Sequence, residues 1–188
     1  MPFRLLITEL LVIMRLILLR HAKTEKAEPG MADRERALNA RGQSDAPVIG
    51  AYMARHKLVP DLALVSTARR TRETWDRIAG ALTKKPAVAY EDRLYDAGVQ
   101  AILAVLKETD PAVGILLVIG HNPGLHDIAR HLIASGDVEA RERLNEGLPT
   151  SGLAVIDFAA ESWRKLHPRG GRLERFVTPR SLAAADRV

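Results

Sequence analysis

Cysteine is absent from the 188 residues of this chain. The absence excludes a disulfide framework and any metal site built from thiolates. It fits a protein of a reducing compartment, so we expect a cytoplasmic location. Long apolar runs are also lacking, because Glu9 interrupts the apolar N-terminal stretch and leaves segments too short to span a bilayer, so we expect no membrane partner.

Aromatic residues make up only 4% of the sequence and leave few platforms on which nucleic-acid bases could stack. The charge balance is basic, with 28 Lys and Arg against 23 Asp and Glu, a net charge of +5 and a pI near 9.8. Because this excess is modest and the acidic residues are interspersed, we expect no nucleic-acid partner. The balance instead favours small anionic substrates or phosphorylated proteins.

The length fits one domain, and 47% hydrophobic residues suffice for a core. Met14 opens the segment MRLILLRHAK, which has the pattern of a complete first strand. We therefore expect residues 1–13 to be an extension upstream of a natural translation start at Met14, or an extra element packed outside the fold. Residues 14–180 are predicted to form the domain and residues 181–188 a frayed tail. No sequence signal specifies an oligomeric state.

Strand and helix patterns alternate along the chain, with breakers between them. The predicted strands cover residues 15–21, 60–67, 87–92, 113–121, 151–158 and 172–178, and the predicted helices cover 37–58, 69–84, 98–109 and 124–135. The first helix is capped either at Asn39 or near Ser44, and Pro47 favours the later start or a kink. This order predicts an α/β fold with a mostly parallel sheet covered by helices.

Three segments that follow predicted strands carry the candidate functional residues. Arg20 and His21 follow the first strand, residues 66–72 follow the second, and His121 follows the fourth. In sheets of this type, sites form beyond the carboxyl ends of the strands. The sequence therefore predicts that two histidines and several arginines meet at one edge of the sheet.

These residue types together suit phosphoryl chemistry. The fixed fork of an Arg guanidinium pairs bidentately with phosphate oxygens. A neutral imidazole beside such cations can attack phosphorus, because nearby positive charge lowers its pKa and keeps its lone pair free. A second imidazole, when protonated, can stabilise charge on the oxygens being transferred.

Several motifs in order resemble the histidine phosphatase superfamily, and more narrowly its SixA-type phosphohistidine phosphatase family. They are LLRHAKTE, in which Ala22 stands in the glycine position of Arg-His-Gly, and then LNARG (38–42), STARRTRET (66–74), LVIGHNPGL (117–125) and LPTSGLAV (148–155). The similarity covers essentially Met14 to Pro179. It implies a three-layer α/β/α sandwich of the phosphoglycerate mutase-like type and a phosphatase activity.

The resemblance also implies roles for individual residues. His21 matches the nucleophile that becomes phosphorylated, Arg20 and Arg70 match the two phosphate clamps, and His121 matches the second histidine of the pocket. Thr24 corresponds to a Ser or Thr near the phosphate. Further expectations concern the rim, where Asn122 should bind substrate and residues 150–151 should lie nearby.

Two departures from the family pattern concern acidic residues. Glu73 replaces the usual Gln, and we expect it on the helix and away from the ligand. Many members of the superfamily carry a general-acid carboxylate between the second and third motifs. Here Glu91, Asp92 and Asp96 are available, but none lies in a motif that matches, and residues 75–112 leave no room for a large insertion.

Two other kinds of site are disfavoured by the sequence, a metal centre and a P-loop nucleotide site. His121, His126, Asp127 and His131 could suggest a metal centre, but His126 and His131 are five residues apart on a helix and do not share a face. The Gly-x-x-x-x-Gly-Lys-Ser/Thr motif of P-loop proteins is missing from the sequence. We therefore expect neither a metal nor a cofactor.

The sequence predicts a metal-independent phosphatase that works through a phosphohistidine intermediate, and the resemblance implies protein phosphohistidine as its substrate. One alternative is a phosphatase of small phosphomonoesters from the same superfamily. Another, from a different class, is a non-catalytic module that binds phosphate or a phosphoprotein. A phosphoglycerate mutase is disfavoured because it generally needs the longer insertion.

Overall fold

The computed structural model describes residues 13–185. Within this range the strands are β1 (Ile13–Arg20), β2 (Leu62–Ser66), β3 (Ala87–Glu91), β4 (Ile115–Gly120), β5 (Ile133–Gly136), β6 (Leu153–Ala159) and β7 (Gly171–Val177). The α-helices are α1 (Ala40–Arg55), α2 (Arg69–Ala79), α3 (Val99–Lys107), α4 (Gly124–Leu132), α5 (Val138–Glu146) and α6 (Pro179–Ala185). Short 3-10 turns lie at Asp33–Glu35, Asp92–Leu94 and Trp163–Lys165.

The strands form one sheet in the order β3-β2-β4-β1-β6-β7-β5. Strands β3, β2, β4 and β1 pair in parallel, and β5 pairs in parallel with β7. Strand β6 lies antiparallel between β1 and β7 and alone runs against the others in this sheet. The predicted mostly parallel sheet is confirmed. Its parallel half places the ends of β1, β2 and β4 at one edge.

Strand β1 is buried on both faces because apolar side chains point alternately to opposite sides of the sheet. Leu16 and Leu18 belong to a core cluster shared with α3, α4 and α5. Ile17 and Leu19 belong to the cluster shared with α1 and α2. Each of these side chains contributes about 1.5–3 kcal/mol through its removal from water. The three-layer α/β/α arrangement is therefore confirmed.

Helix α1 begins at the earlier of its two predicted starts. The Asn39 side chain caps it by accepting a hydrogen bond from the Gly42 backbone N at 2.9 Å. Pro47 lies inside the helix and removes one backbone donor. Buried residues on both sides of it, including Ala46 and Ile49, pack the helix onto the sheet layer. This packing outweighs the loss at Pro47 and keeps the helix continuous.

The sequence analysis did not predict three elements in the C-terminal third of the chain, namely β5, α5 and α6. The predicted helix over 124–135 is wrong beyond Leu132, because residues 133–136 form strand β5 against β7. This strand is too short to show a period of two. Helix α5 was missed because Leu144 is its only buried residue and most of its other residues are charged or polar, so it has no continuous apolar stripe.

Helix α6 covers residues 179–185, although the sequence predicts a tail from residue 181. Leu182 is partly buried and packs against the α1–α2 side of the core. At the other end, Ile13 is the first residue of β1, whereas residues 1–12 of the expected extension lie outside the described residues. No helix between residues 13 and 185 is long and apolar enough to cross a membrane.

Candidate active site

A pocket of about 540 Å³ lies at the carboxyl edge of β1, β2 and β4. Arg20 is the last residue of β1 and His21 follows it, while His121 directly follows β4; all three line the pocket. The lining residues are Arg20, His21, Lys23, Thr24, Asp33, Arg36, Arg70, Tyr95, Asp96, His121, Asn122 and Thr150. The structure thus brings all six predicted site residues, which lie up to 102 positions apart (122 minus 20), into one cavity.

His21 is 8% exposed, and its two ring nitrogens have different surroundings. Its Nδ1 lies 2.8 Å from the backbone oxygen of Ala22. A carbonyl oxygen can only accept, so Nδ1 carries the proton and Nε2 keeps its lone pair. Burial lowers the pKa of His21 to about 3, with further lowering by His121 and the neighbouring guanidinium groups. At neutral pH His21 is therefore an uncharged imidazole with a free Nε2.

The backbone after His21 is fixed by a threonine from α2. The Ala22 N–H donates to Thr74 Oγ1 at 3.0 Å, and Thr74 Oγ1 in turn donates to the Arg70 backbone oxygen at 2.6 Å. Gly42 at the start of α1 lies against the same loop, where a Cβ atom would come within 2.0 Å of the Lys23 oxygen. Two motifs far from His21 in sequence therefore hold the loop that carries it.

Arg20 reaches from the end of β1 toward the loop before β6. Its Nη1 donates to the Leu148 backbone oxygen at 3.1 Å, while its buried Nε has no partner between residues 13 and 185. Burial lowers the pKa of Arg20, and repulsion from Arg70 lowers it further. With a reference value of 12.5, the guanidinium remains charged, and two cations share one cavity.

Arg70, which is 6% exposed, is held by a residue that the sequence did not single out. Its Nη1 donates to the Asp33 backbone oxygen at 2.7 Å, and its Nη2 donates to Asp33 Oδ2 at 2.9 Å. Tyr95 and Arg36 also donate to this carboxylate, at 2.9 and 3.1 Å. Burial alone would raise the pKa of Asp33, but these hydrogen bonds lower it to about 2. Asp33 is therefore ionised at neutral pH.

His121 faces His21 with a ring-centroid distance of 5.3 Å. Its Nε2 lies 2.8 Å from the buried Ser66 hydroxyl, and its buried Nδ1 has no partner among the described residues. Burial, followed by the charge of Arg70, lowers the pKa of His121 to about 4. The Ser66 hydroxyl can donate to Nε2 or accept from it, so its contact is compatible with either neutral tautomer of His121.

The three acidic residues proposed as general acids differ in position. Glu91 accepts from the Arg93 side chain, and Asp92 accepts from Arg34 and Thr67, at distances of 2.7–3.0 Å. These contacts lower the pKa of both carboxyls. Only Asp96, of the three, lines the pocket.

Thr24 and Asn122 both line the pocket. Thr24 Oγ1 accepts from Arg36 Nη2 at 2.8 Å, and Thr24 bridges to Leu38 through backbone hydrogen bonds. Asn122 Nδ2 donates to the Leu148 oxygen at 2.8 Å, and its buried Oδ1 is unpaired within residues 13–185. Each can present a polar atom to a ligand in the pocket.

The charged residues on the solvent side of α2 are engaged elsewhere. Arg69 donates to Glu73 at 2.7 Å, and the second oxygen of Glu73 accepts from the Leu38 backbone N at 2.7 Å. The Arg72 guanidinium lies 4.9 Å from the centre of the Tyr90 ring. Glu73 therefore lies on the helix and away from the pocket, where the sequence predicts it.

Sequence reasoning missed Asp33, Arg36 and Tyr95 as pocket residues. The first two belong to the charged run DRER (33–36), which has no strand or helix pattern of its own. Tyr95 follows a 3-10 turn, and its ring edge lies 5.6 Å from the His121 ring. The one available signal was their position in loops after β1 and β3, which end at the same edge as the other site residues.

The His126 and His131 side chains lie outside this pocket. His126 Nε2 lies 2.8 Å from the Leu144 backbone oxygen and links α4 to α5. Between residues 13 and 185, no three His, Asp or Glu side chains are grouped so that they could hold a metal ion.

Comparison with known proteins shows to which family the chain is related. Residues 16–101 match the model of the histidine phosphatase superfamily, branch 1. A crystal structure of a protein assigned as the phosphohistidine phosphatase SixA of Agrobacterium tumefaciens has a TM-score of 0.75 and 32% identity, covering 88% of this chain and 98% of that chain. An uncharacterised protein of Mycobacterium tuberculosis is 34% identical over 164 residues, which are 86% of this chain and 100% of the relative.

A second similar structure is that of the protein histidine phosphatase SixA complexed with tungstate. It has a TM-score of 0.71 and covers 90% of this chain and 99% of that chain. Its identity is 21%, so this likeness shows the fold alone.

Proposed function

This chain belongs to the histidine phosphatase superfamily as a SixA-type phosphatase, and we propose that it hydrolyses protein phosphohistidine through a covalent phosphohistidine at His21. One arrangement carries the proposal. The guanidinium groups of Arg20 and Arg70 line the same pocket as His21, a buried neutral imidazole whose Nε2 keeps its lone pair. Guanidinium forks bind phosphoryl oxygens, and a neutral imidazole can attack phosphorus.

In the first step the Nε2 lone pair of His21 attacks phosphorus in line with the leaving group. A bond forms between Nε2 and phosphorus, the bond from phosphorus to the leaving nitrogen breaks, and that nitrogen takes the electron pair. Arg20 and Arg70 bind the phosphoryl oxygens, and His121, whose ring faces His21, contributes to the polar surroundings of the transferring group. His21 needs no prior deprotonation, because its low pKa keeps it neutral.

In the second step water attacks the phosphorus of phospho-His21. The new oxygen–phosphorus bond replaces the bond to Nε2, inorganic phosphate is released, and His21 regains its lone pair. The hydrogen bond from Nδ1 to the Ala22 oxygen holds the ring in one orientation through both steps. The cations that stabilise the first transition state also stabilise the second.

We assign no proton donor for the leaving group among the described residues, and this favours cleavage of a phosphorus–nitrogen bond. An alkoxide leaving group needs a proton in the transition state, and proton donation typically contributes about 10²–10⁴-fold. The imidazole of phosphohistidine can take up a proton on its other ring nitrogen near neutral pH, and in that form it leaves as a neutral ring without a donor at the reacting nitrogen. Asp33 cannot serve as the donor at neutral pH, because its pKa is about 2.

The second candidate function is hydrolysis of a small phosphomonoester. The observation in its favour is Asp96, whose carboxyl lines the pocket and could supply the missing proton. A non-catalytic binding module has no comparable observation in its favour, since the pocket contains a neutral imidazole with an unshared lone pair.

The test compares kcat/KM for a phosphohistidine peptide, a phosphoserine peptide and an aryl phosphate. We expect turnover of the first and the last, with the phosphoserine peptide slower by at least about 100-fold. A chelator should leave these rates unchanged, and vanadate should inhibit. Comparable rates on phosphoserine would contradict the substrate assignment. Asp96→Asn, with Asp92→Asn as the matched control outside the pocket, would then identify the acid.

A further inference from the structure

A second concavity of about 610 Å³ opens beside the catalytic pocket and shares Arg20 and Asn122 with it. Its walls come from the C-terminal end of α5, the loop over residues 147–149, the end of β7 and α6. We call this concavity the α5–α6 groove.

The α5–α6 groove combines apolar surface with two arginines. Pro149 and Ala184 supply exposed apolar surface, and the buried Leu148 and Phe176 lie beneath it. Other lining residues are charged: Arg143, Arg180 and Glu146. The guanidinium carbon of Arg143 lies 5.4 Å from the centre of the Phe176 ring. Within residues 13–185 no ion pair engages either of these two arginines, so both cations are available to an anionic ligand.

One backbone oxygen connects the α5–α6 groove with the catalytic pocket. The backbone oxygen of Leu148 accepts from Arg20 Nη1 at 3.1 Å and from Asn122 Nδ2 at 2.8 Å. A phosphoryl group held by Arg20 therefore lies next to the loop that lines the groove. The part of the substrate that continues beyond the phosphoryl group can enter the groove from there.

We propose that the α5–α6 groove binds the polypeptide segment that flanks the phosphohistidine, and that it selects segments with an acidic and an apolar side chain. The apolar side chain packs on the surface formed by Pro149 and Ala184, and the acidic one pairs with Arg143 or Arg180. This inference rests on the proposed phosphohistidine phosphatase activity and specifies its substrate. A small phosphomonoester lacks the flanking chain that would occupy the groove.

The chain supplies a matched control for the charge of the groove. Arg141 lies on the same helix as Arg143 and is similarly half-buried, but it lines a different concavity with Arg130 and Arg169. Arg143→Glu and Arg141→Glu therefore change the net charge equally while only the first alters the groove. Arg180→Glu, at an exposed side chain on α6, is a second groove variant that leaves the packing of α5 intact.

The experiment measures kcat/KM for phosphohistidine peptides whose neighbouring positions, on either side in turn, carry Leu and Glu, Leu and Lys, or Gly and Ser. The wild-type protein should prefer the Leu and Glu peptide over the Leu and Lys peptide by about five- to tenfold, as expected for one or two exposed charge pairs. Arg143→Glu and Arg180→Glu should abolish or reverse this preference, and Arg141→Glu should retain it. Rates on an aryl phosphate should be the same for all four proteins.

Rates in the wild-type protein that do not depend on the flanking residues would overturn the groove assignment. An equal loss of preference in Arg141→Glu would also overturn it, because the effect would then be one of general charge. These outcomes differ from a failure of the proposed function, in which the wild-type protein would turn over no phosphohistidine peptide at all.

Discussion

Arg70 holds Asp33 through both of its terminal nitrogens, one on the backbone oxygen and one on the carboxylate, at 2.7 and 2.9 Å. The proposed phosphate clamp is therefore already oriented before a ligand binds. The same contact places a negative charge next to the site that we assign to a phosphoryl group. A phosphate dianion and the Asp33 carboxylate must share the positive charge of this region.

Asp33→Asn should therefore strengthen anion binding. The amide keeps the size and an acceptor oxygen for Arg70 but removes one negative charge from the pocket. We expect the inhibition constant for vanadate to fall by up to about tenfold, corresponding to roughly 1 kcal/mol for a partly exposed charge. Asp45→Asn, at the exposed ion pair with Arg41, is the control. An unchanged or higher inhibition constant in Asp33→Asn would show that the carboxylate serves mainly to orient Arg70.

Arg70→Ala should lower kcat/KM by about 10²–10³, the usual loss for one preorganised group that stabilises charge. Arg69→Ala is its neighbour control, because that exposed side chain pairs with Glu73 outside the pocket. We expect Arg69→Ala to change the rate only mildly. A larger loss in Arg69→Ala than in Arg70→Ala, measured on the same aryl phosphate, would invalidate the assignment of the clamp.

His21→Ala should abolish turnover, because no other pocket side chain combines a free imidazole lone pair with the observed position beside Arg20. Rapid quenching of the wild-type protein with labelled substrate should trap a phosphoenzyme that is labile in acid and stable in base. The variant should still bind vanadate through the arginines, which separates loss of chemistry from loss of folding. Substantial activity in a folded His21→Ala protein would rule out the covalent mechanism.

The stability of the protein should fall as the pH drops below 6.5. The pKa of His21 is lowered from 6.5 to about 3 in the folded protein, so between these values the unfolded chain binds a proton that the folded chain does not. Unfolding is thus favoured by acid, by on the order of 2 kcal/mol at pH 5 for this histidine. His121, with a pKa of about 4, contributes in the same direction.

Urea denaturation between pH 4 and pH 7 measures this effect. His21→Asn should flatten the dependence of the unfolding free energy on pH. Identical slopes for the wild type and His21→Asn would contradict the assigned shift.

A chain beginning at Met14 should fold and react like the full-length chain. Met14 is 1% exposed and anchors β1 in the core, whereas Ile13 at the strand end is 54% exposed. Thermal unfolding and turnover of an aryl phosphate compare the two chains. A fall in the melting temperature by many degrees would show that residues before Met14 contribute to the core.

The sequence by itself determined the fold class and the family. Continuous apolar runs such as residues 15–19 identify strands buried on both faces, because only helices on each side can cover them. Polar residues directly after such runs identify the site edge. For this reason the edge that carries His21 and His121 was predicted without coordinates, whereas the choice of Arg70 among its neighbouring arginines came from the resemblance to the histidine phosphatase superfamily. Elements without a clear apolar period, such as α5, were not predicted from the sequence.

Only the tertiary structure decided how the pocket is completed. Asp33, Arg36 and Tyr95 come from irregular loops, whose backbone path is set by long-range contacts rather than by local pattern. The tautomer of His21 depends on its contact with the Ala22 oxygen, and the uncharged state of His121 depends on burial in the assembled sheet and on the charge of Arg70. The spacing of residues in a sequence can predict which side chains lie at the edge of the sheet. The hydrogen-bond partners, burial and charge states of those side chains are set by tertiary packing.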